Sequence, residues 1–477
     1  QSRKDQTSQI PYIGLDNFPQ LGLITSLRFL EWAYEYPEGV ISLPTGKTPE
    51  YFIKWTHHLL QNWSNKEVKA IRDKNGLQIR EKPDLSKLKF VQIDEFYPLN
   101  PKQHNSFYNY VCKYYLDGFG LSYDNALLIN SDDIPLFKNN DRKTVFPDNI
   151  VDLTLRFRDA ENEHEKIQQE SIFLIDQWCA DYEDKIRSMG GIGFFLGGIG
   201  PDGHIAFNVR GSDHNSTTRL TTTNFETQAA AATDLGGIEI SRNRLVITIG
   251  LGTITHNPEA TGVIIAAGEA KAKIIKKSLE NEPDVKYPAT ALSKLKNSCF
   301  YITKGASKAL TDSENDYWSN GIWDDQKLQR SVLELSKKIN VFGKKLELED
   351  LQKDIHCKNI PNLDKNTVPS VINAIEEKVL KGSKSEKNQI FYHTGPHHDD
   401  IMLGLMPYII QLIREPSNYH HFVNMTSGFT SVTNDFIKNL LNDTKAFLID
   451  DLHYRLYIQD PLIVLVNLVF DLFSEVK

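Results

Sequence analysis

Between Gly39 and Ala267 short apolar runs alternate with amphipathic stretches. The pattern predicts strands at Val40–Leu43, Phe90–Ile93, Ile192–Leu196, Leu245–Ile249 and Val263–Ala266. Each run is bounded by Gly, Pro or Asp, and helical spacing fills the intervals. Such alternation predicts an α/β domain on a doubly wound, mostly parallel sheet. Ligands of such sheets bind just beyond the carboxyl ends of the strands, so chemistry-bearing motifs should follow strands directly. From about Gln326 to Lys387 the pattern becomes Lys/Glu/Leu-rich with the spacing of solvent-exposed helices, closing in Lys381-Gly-Ser-Lys-Ser-Glu-Lys387. We therefore divide the chain into a first domain at 1–325, a helical connector and hinge at 326–388, and a second, smaller α/β domain at 389–477. That last segment opens on the strand Gln389–His393. The most apolar run, Pro461–Phe473, spans only about 13 residues, too few for a bilayer of ~30 Å. It is expected to be a buried strand or helix.

Composition narrows the function. With 477 residues the chain exceeds one core and suits two or three domains. Its 54 basic and 62 acidic side chains leave a net charge of −8, with no block of Lys or Arg. Neither nucleic acid nor an anionic membrane is an expected partner, and an anionic small molecule would need locally placed cations and amides. Cys112, Cys179, Cys299 and Cys357 are scattered without CxxC pairing, which suits a reducing cytosol and four small hydrophobes rather than a thiolate metal site. Gln1–Gln9 is polar and lacks an apolar signal-peptide core, so a cytoplasmic location is expected.

Three motifs follow predicted strands. The first is Leu43-Pro-Thr-Gly-Lys-Thr-Pro-Glu50, a strand running into a Gly/Thr turn with Pro49 at the expected first helical position. Turn amides and a helix N-terminus aimed at one point suit phosphate. It is not a Walker loop, since the glycine required five positions before Gly46 is Ile41. A strand–turn–helix without ligand is at least as common. The second is Ile93-Asp-Glu-Phe-Tyr97. Two adjacent carboxylates leaving a buried strand cannot both be core. Asp94 is either a general base on a carbon acid or the cap of a helix or turn. The third is Leu196-Gly-Gly-Ile-Gly-Pro-Asp-Gly-His-Ile-Ala-Phe-Asn208. Its glycines, Gly198 among them, allow close backbone approach to a ligand. Asp202 and His204 stand two apart and can act together as an acid/base pair near neutral pH.

Together these segments resemble the glucosamine-6-phosphate deaminase/isomerase family from roughly Leu21 to Ser307. Its Leu-Pro-Thr-Gly-Gly-Thr-Pro loop appears as Leu43 to Pro49, and its Met-Asp-Glu-Tyr as Ile93 to Phe96. His-Pro-Glu-Ser-Tyr-Tyr appears more loosely as Gln103 to Tyr108, the glycine-rich run as Gly197 to Asn208, and Gly-x-x-Lys as Gly268 to Lys271. The resemblance implies ring opening by His204 held by Asp202, and transfer of the C2 proton by Asp94. The C2 imine then hydrolyses to fructose 6-phosphate and ammonia, with no metal or other cofactor. Thr45, Gly46, Lys47, Thr48 and Gly198 would line the phosphate and sugar site, Lys271 would supply charge, and a homo-oligomer is implied. The chain departs from the family at Val209, where a Glu supports the catalytic His, and near Thr233, where a phosphate-binding Arg is expected. Arg219 matches an effector-site Arg, but its neighbouring Lys is Thr221. These departures imply a changed substrate, lowered activity or lost effector control. Two other readings stay open: a sugar-phosphate-binding regulator, and a 6-phosphogluconolactonase-like hydrolase. The pair Asp94-Glu95 speaks against the latter, since opening a lactone needs no carbon-acid base.

The second segment carries Phe391-Tyr-His-Thr-Gly-Pro-His-His-Asp-Asp-Ile-Met-Leu-Gly404. An imidazole and a carboxylate side by side after a strand suit zinc, and a His/Asp cluster without metal is an equal alternative. The run resembles the His-Pro-Asp-Asp-x-x-x-Gly motif of PIG-L-type N-acetylglucosaminyl deacetylases, with Pro replaced by His398. By that resemblance His397 and Asp400 are zinc ligands and Asp399 is the base. Val423 to Phe429 resembles the strand and turn that follow. Nothing around His453 matches the family's third ligand, so the deacetylase-like domain is expected to be incomplete.

Overall fold

The strand candidates are buried on both faces, and their alternate residues lie in two separate hydrophobic clusters. That is the signature of a sheet covered by helices on both sides. The computed structural model describes residues 8–425, apart from positions 78, 104, 148, 229–243, 321, 385 and 398. Pro461–Phe473, Thr233 and His453 lie outside the described residues, as do His398 and the part of the Val423–Phe429 run beyond Met425.

The described strands in chain order are β1 (Tyr12–Leu15), β2 (Val40–Ser42), β3 (Lys89–Val91), β4 (Asp94–Tyr97), β5 (Ala126–Leu127) and β6 (Phe194–Gly198). They continue with β7 (Arg219–Thr221), β8 (Leu245–Thr248), β9 (Thr261–Ala266), β10 (Cys299–Thr303), β11 (Ile390–Gly395) and β12 (Tyr419–Asn424). Seven of them form a parallel sheet in the order β1-β10-β9-β6-β2-β3-β5. The doubly wound expectation holds. Winding reverses between β2 and β6, and such a reversal opens a crevice at the carboxyl ends of the two strands.

Alternation sorts the side chains. Phe194, Leu196, Val263 and Ile265 pack with the helices Phe18–Glu35 and Glu50–Gln61. Phe195, Ile264 and Val91 pack on the other face with the helices Glu163–Ser188 and Ala272–Glu280. Strands this apolar on both faces belong inside a three-layer domain.

One strand departs from expectation. The run Leu245–Ile249 does not join the parallel sheet. As β8 it lies antiparallel between β4 and β7 in a separate three-stranded sheet, with Asp94 opposite Thr248. Hydrophobicity reports burial and not pairing direction, so the periodicity could not distinguish the two. The run Phe90–Ile93 is likewise interrupted: β3 ends at Val91, and Asp94 begins β4.

The described residues fall into two compact units divided between Pro369 and Ser370. Residues 326–369 group with the first unit, where Val332, Leu335, Leu351 and Cys357 are buried. In the second unit β11 and β12 pair in parallel, joined by the helix Asp400–Ile413. His393 and His420 stack there, with Nε2 of the first 2.9 Å from Nδ1 of the second. Among the described residues no helix is long and apolar enough to cross a membrane.

Candidate active site

The order β9-β6-β2-β3 places four motif-bearing carboxyl ends side by side. From β9 come Gly268 to Lys271, from β6 the glycine-rich loop, from β2 the Thr/Gly loop, and from β3 Asp94 and Glu95. Segments up to about 230 residues apart in sequence thereby share the crevice at the winding reversal.

The loop after β2 is held from outside. Tyr110 Oη donates to the Gly46 carbonyl at 2.9 Å, and Tyr115 Oη donates to the Pro44 carbonyl. Gly46 has φ +81°, a region L side chains rarely adopt, so glycine is required there. With the carbonyls tied back, the amides of Thr45, Gly46, Lys47 and Thr48 donate to no described residue. Free amides ahead of a helix N-terminus make an anion cradle. Pro49 occupies the N-cap rather than the first helical position, and the helix begins at Glu50. Lys47 is exposed. A Cβ on Gly198 would lie 3.2 Å from Thr48 Cγ2, so the phosphate-type loop and the glycine-rich loop approach closely there.

The two adjacent carboxylates divide their tasks. Glu95 is buried, and its two oxygens accept from Ser106 Oγ at 2.7 Å and from the amides of Phe96, Phe107 and Tyr108 at 2.9, 3.2 and 2.8 Å. Three of those donors belong to the start of the helix Phe107–Val111, whose N-cap is Ser106. Glu95 is therefore the structural cap. Burial pushes its carboxyl up to about 7, with those four hydrogen bonds opposing the rise. Asp94 is also buried, yet its carboxylate accepts no hydrogen bond from a described residue. Burial, and then the neighbouring Glu95, raise it well above the usual carboxylate range. A carboxylate without partners is a strong base once ionised.

His204 sits in the third loop with Nδ1 2.6 Å from Asp202 Oδ1 and 3.2 Å from Thr227 Oγ1. Asp202 Oδ2 accepts from the Arg210 amide at 3.2 Å and from Asn224 Nδ2 at 2.6 Å. Burial opposes ionisation of Asp202, but the bond and charge of His204, the Arg210 amide and Asn224 outweigh it and hold the carboxyl well below its usual range. An ionised Asp202 can only accept, so Nδ1 carries the proton and Nε2 is left for a ligand. The imidazole stacks on Phe207 with 15° between planes. Phe207 in turn packs against Phe96 and Phe107, and its amide donates to Thr248 Oγ1 at 3.1 Å. Thr248 is the residue opposite Asp94 on β8, so the His204 loop is tied to the Asp94 strand through that threonine.

Lys271 Nζ donates to the Ile199 carbonyl at 2.9 Å. Burial lowers its ammonium pKa, with Asp202 opposing. That bond seats the ammonium on the backbone of the glycine-rich loop, next to Gly198. Arg219 donates to Asn208 Oδ1 at 3.0 Å and to Ser212 Oγ at 3.3 Å, closing that loop on itself.

No family model matches the chain. It is 34% identical to the glucosamine-6-phosphate deaminase of Borreliella afzelii (strain PKo) over 162 residues, 34% of this chain and 60% of the relative. To the glucosamine-6-phosphate isomerase of Candida albicans it is 38% identical over 119 residues, 25% of this chain and 48% of the relative. To the glucosamine-6-phosphate deaminase 2 of Xenopus laevis it is 32% identical over 159 residues, 33% of this chain and 57% of the relative. The chain is homologous to glucosamine-6-phosphate deaminases over about a third of its length. It spans less than two thirds of the length of these relatives. Among solved structures, a monomeric glucosamine-6-phosphate deaminase superposes with a TM-score of 0.45 at 20% identity, covering 62% of this chain and 99% of that one. A 6-phosphogluconolactonase from Leishmania guyanensis gives 0.40 at 15%, covering 62% and 97%.

Against the deaminase pattern, Val209 leaves no carboxylate at the position expected to support the histidine. Here Asp202 and Thr227 meet the imidazole instead, and Asn224 holds Asp202. Sequence reading missed Asn224 and Thr227. The run Asn224-Phe-Glu-Thr227 does read as a helix start, since Asn224 Oδ1 accepts from the Thr227 amide at 2.9 Å. Nothing in that signal says which carboxylate the amide's other end will meet. Tyr110 and Tyr115 were missed too, as aromatic residues on a helix are ordinary core.

In the second unit, donor atoms of His397, Asp399 and Asp400 lie within 4.8 Å of one another. The His397 amide donates to Asp400 Oδ2 at 2.8 Å, and Nδ1 is 3.7 Å from the same oxygen. Mixed imidazole and carboxylate donors fit zinc, with at least one further ligand needed to complete four.

Proposed function

We propose that the first unit is an amino-sugar-phosphate deaminase/isomerase converting glucosamine 6-phosphate, or a close relative, to fructose 6-phosphate and ammonia. What supports it is that buried Asp94, the Asp202–His204 pair and the amides of residues 45–48 follow the neighbouring strands β3, β6 and β2, with neither the Asp94 carboxylate nor those amides bonded to a described residue. Aldose–ketose isomerisation needs those three things: a carbon-acid base, an acid/base for ring opening, and a grip on the phosphate. His204 Nε2 would take the proton of the C1 hydroxyl and deliver one to the ring oxygen as the bond between C1 and that oxygen breaks, with Asp202 holding the imidazole. Asp94 would take the proton from C2 and return one to C1. Homology to glucosamine-6-phosphate deaminases supports the substrate class.

His397 and Asp400 would hold a zinc ion, with Asp399 as base, in a deacetylase-like second domain. Zinc when bound supplies Lewis acidity to an amide carbonyl. Deacetylation would expose the amine that deamination removes. The alternative for the first unit is a sugar-phosphate-binding regulator without turnover, which Val209 favours.

Ammonia release from glucosamine 6-phosphate tests the main proposal, comparing the parent chain with Asp94→Asn and His204→Gln. Turnover abolished by both changes is the expected result. Saturable sugar-phosphate binding by the parent without ammonia would overturn the enzyme reading in favour of the regulator.

A further inference from the structure

At the far end of β4 and β8 from Asp94 lies a cavity of about 200 Å³ that the proposed reaction does not use. Three cations line it: Arg142, Lys143 and Arg244. The other polar lining residues are the amide side chains of Asn100, Gln103 and Asn149. The arrangement has a local origin, since Arg244 directly precedes β8 and donates to the carbonyls of Pro98, just after β4, and Asn149. Arg142 and Lys143 open the short helix Arg142–Val145.

Of the three cations, only Arg142 has a carboxylate beside it among the described residues. Asp132 lies 3.1 Å from Arg142 Nη1, but Nη1 is buried and makes no hydrogen bond with any described group. The ion pair thus supplies charge without hydrogen-bond geometry. Lys143 and Arg244 have no carboxylate partner among the described residues. Burial, and then Arg142, lower the Arg244 pKa, as expected for like charges crowded in a poorly hydrated pocket. Asp141 is turned elsewhere, capping the Lys143 amide at 2.9 Å. The hydroxyl of Tyr97, fully buried on β4, is a second polar group without a partner among the described residues, and Arg142 acts on it electrostatically.

Clustered cations with an unmet guanidinium donor are the chemistry that recognises a compact dianion. The volume has room for phosphate with part of its hydration. We propose that this cavity is a second anion site that binds inorganic phosphate, separate from the loop at residues 45–48.

Isothermal titration of the full chain with inorganic phosphate, at low ionic strength in a phosphate-free buffer, tests it. The variants are Arg142→Gln with Lys143→Gln, Lys143→Gln alone, and Thr45→Val with Thr48→Val. Lys143 is exposed, so its single variant should fold even if the double variant does not. Two binding events are expected. Lys143→Gln should weaken one at least about tenfold, as for the loss of a charged contact, and the threonine variant should remove the other. A single event lost with Lys143→Gln would support the cavity and count against the phosphate loop. Phosphate binding unchanged in both cation variants would overturn the proposal. So would displacement by chloride at matched ionic strength, which would show screening and no built site.

Discussion

Replacing Gly200 by alanine tests how the glycine-rich loop governs the imidazole. A Cβ there would lie 2.0 Å from Cε1, 2.2 Å from Nδ1 and 2.4 Å from Nε2 of His204. Gly200 does not have the positive φ of Gly203, so its backbone accepts alanine without strain and the clash falls on the ring. To reach ordinary contact at 3.4 Å the ring must retreat by about 1.4 Å. The 2.6 Å bond to Asp202 would then lie beyond the ~3.2 Å limit of a hydrogen bond. Losing that charge-assisted bond costs about 1.5–3 kcal/mol. Misplacing an acid/base group by about 1 Å costs about 10²-fold, and its full loss about 10²–10⁴-fold. Gly200→Ala should therefore lower kcat for ammonia release by about 10²–10⁴-fold, keep its helical circular dichroism, and lose a few degrees in Tm. A second readout does not depend on turnover. The ¹⁵N shifts of His204 should report a clean Nδ1–H tautomer in the parent and a mixture in the variant. Native kcat together with an unchanged tautomer would refute the reasoning.

Other consequences follow from the same site. Asp94→Asn should abolish turnover and raise the Tm above about pH 5. The folded-state pKa of Asp94 is raised, so its ionisation weakens the fold as pH rises past the ordinary carboxylate range, and an amide removes that loss. A thermal melt series in pH showing no gain would contradict this. For Asp202 the sign is opposite, because its folded pKa is lowered. Asp202→Asn should destabilise the protein at pH 7, and the difference from the parent should shrink as the solution is acidified below about 4. Ser106→Ala removes both a bond to Glu95 and a helix cap, and should cost about 1–2 kcal/mol in denaturant unfolding. In the second unit, equilibrium dialysis against zinc with metal analysis should show binding that His397→Ala and Asp400→Ala both remove. Retention in both would eliminate those residues as ligands.

Much of this molecule is determined locally. The strand positions, the Gly/Thr turn before a helix and the glycine-rich loop were legible, because periodicity and turn chemistry act within a few residues. The residues alone left Asp94 between base and cap, and they gave Glu95 no role. Adjacent in sequence, the two carboxylates are separated by what folds over them: the helix at Phe107 supplies Glu95 with donors and leaves Asp94 with none. The antiparallel placement of β8, which brings Thr248 between Asp94 and Phe207, is invisible to hydrophobic patterning for the same reason. Nor could sequence anticipate Asn224 beside Asp202, or the cation cavity at Arg142, Lys143 and Arg244. Side chains 22 and about 100 residues apart meet there only because the sheet sets their positions. Local propensity decides which elements form, whereas burial and partnership, which set charge and reactivity, arise only from the packed whole.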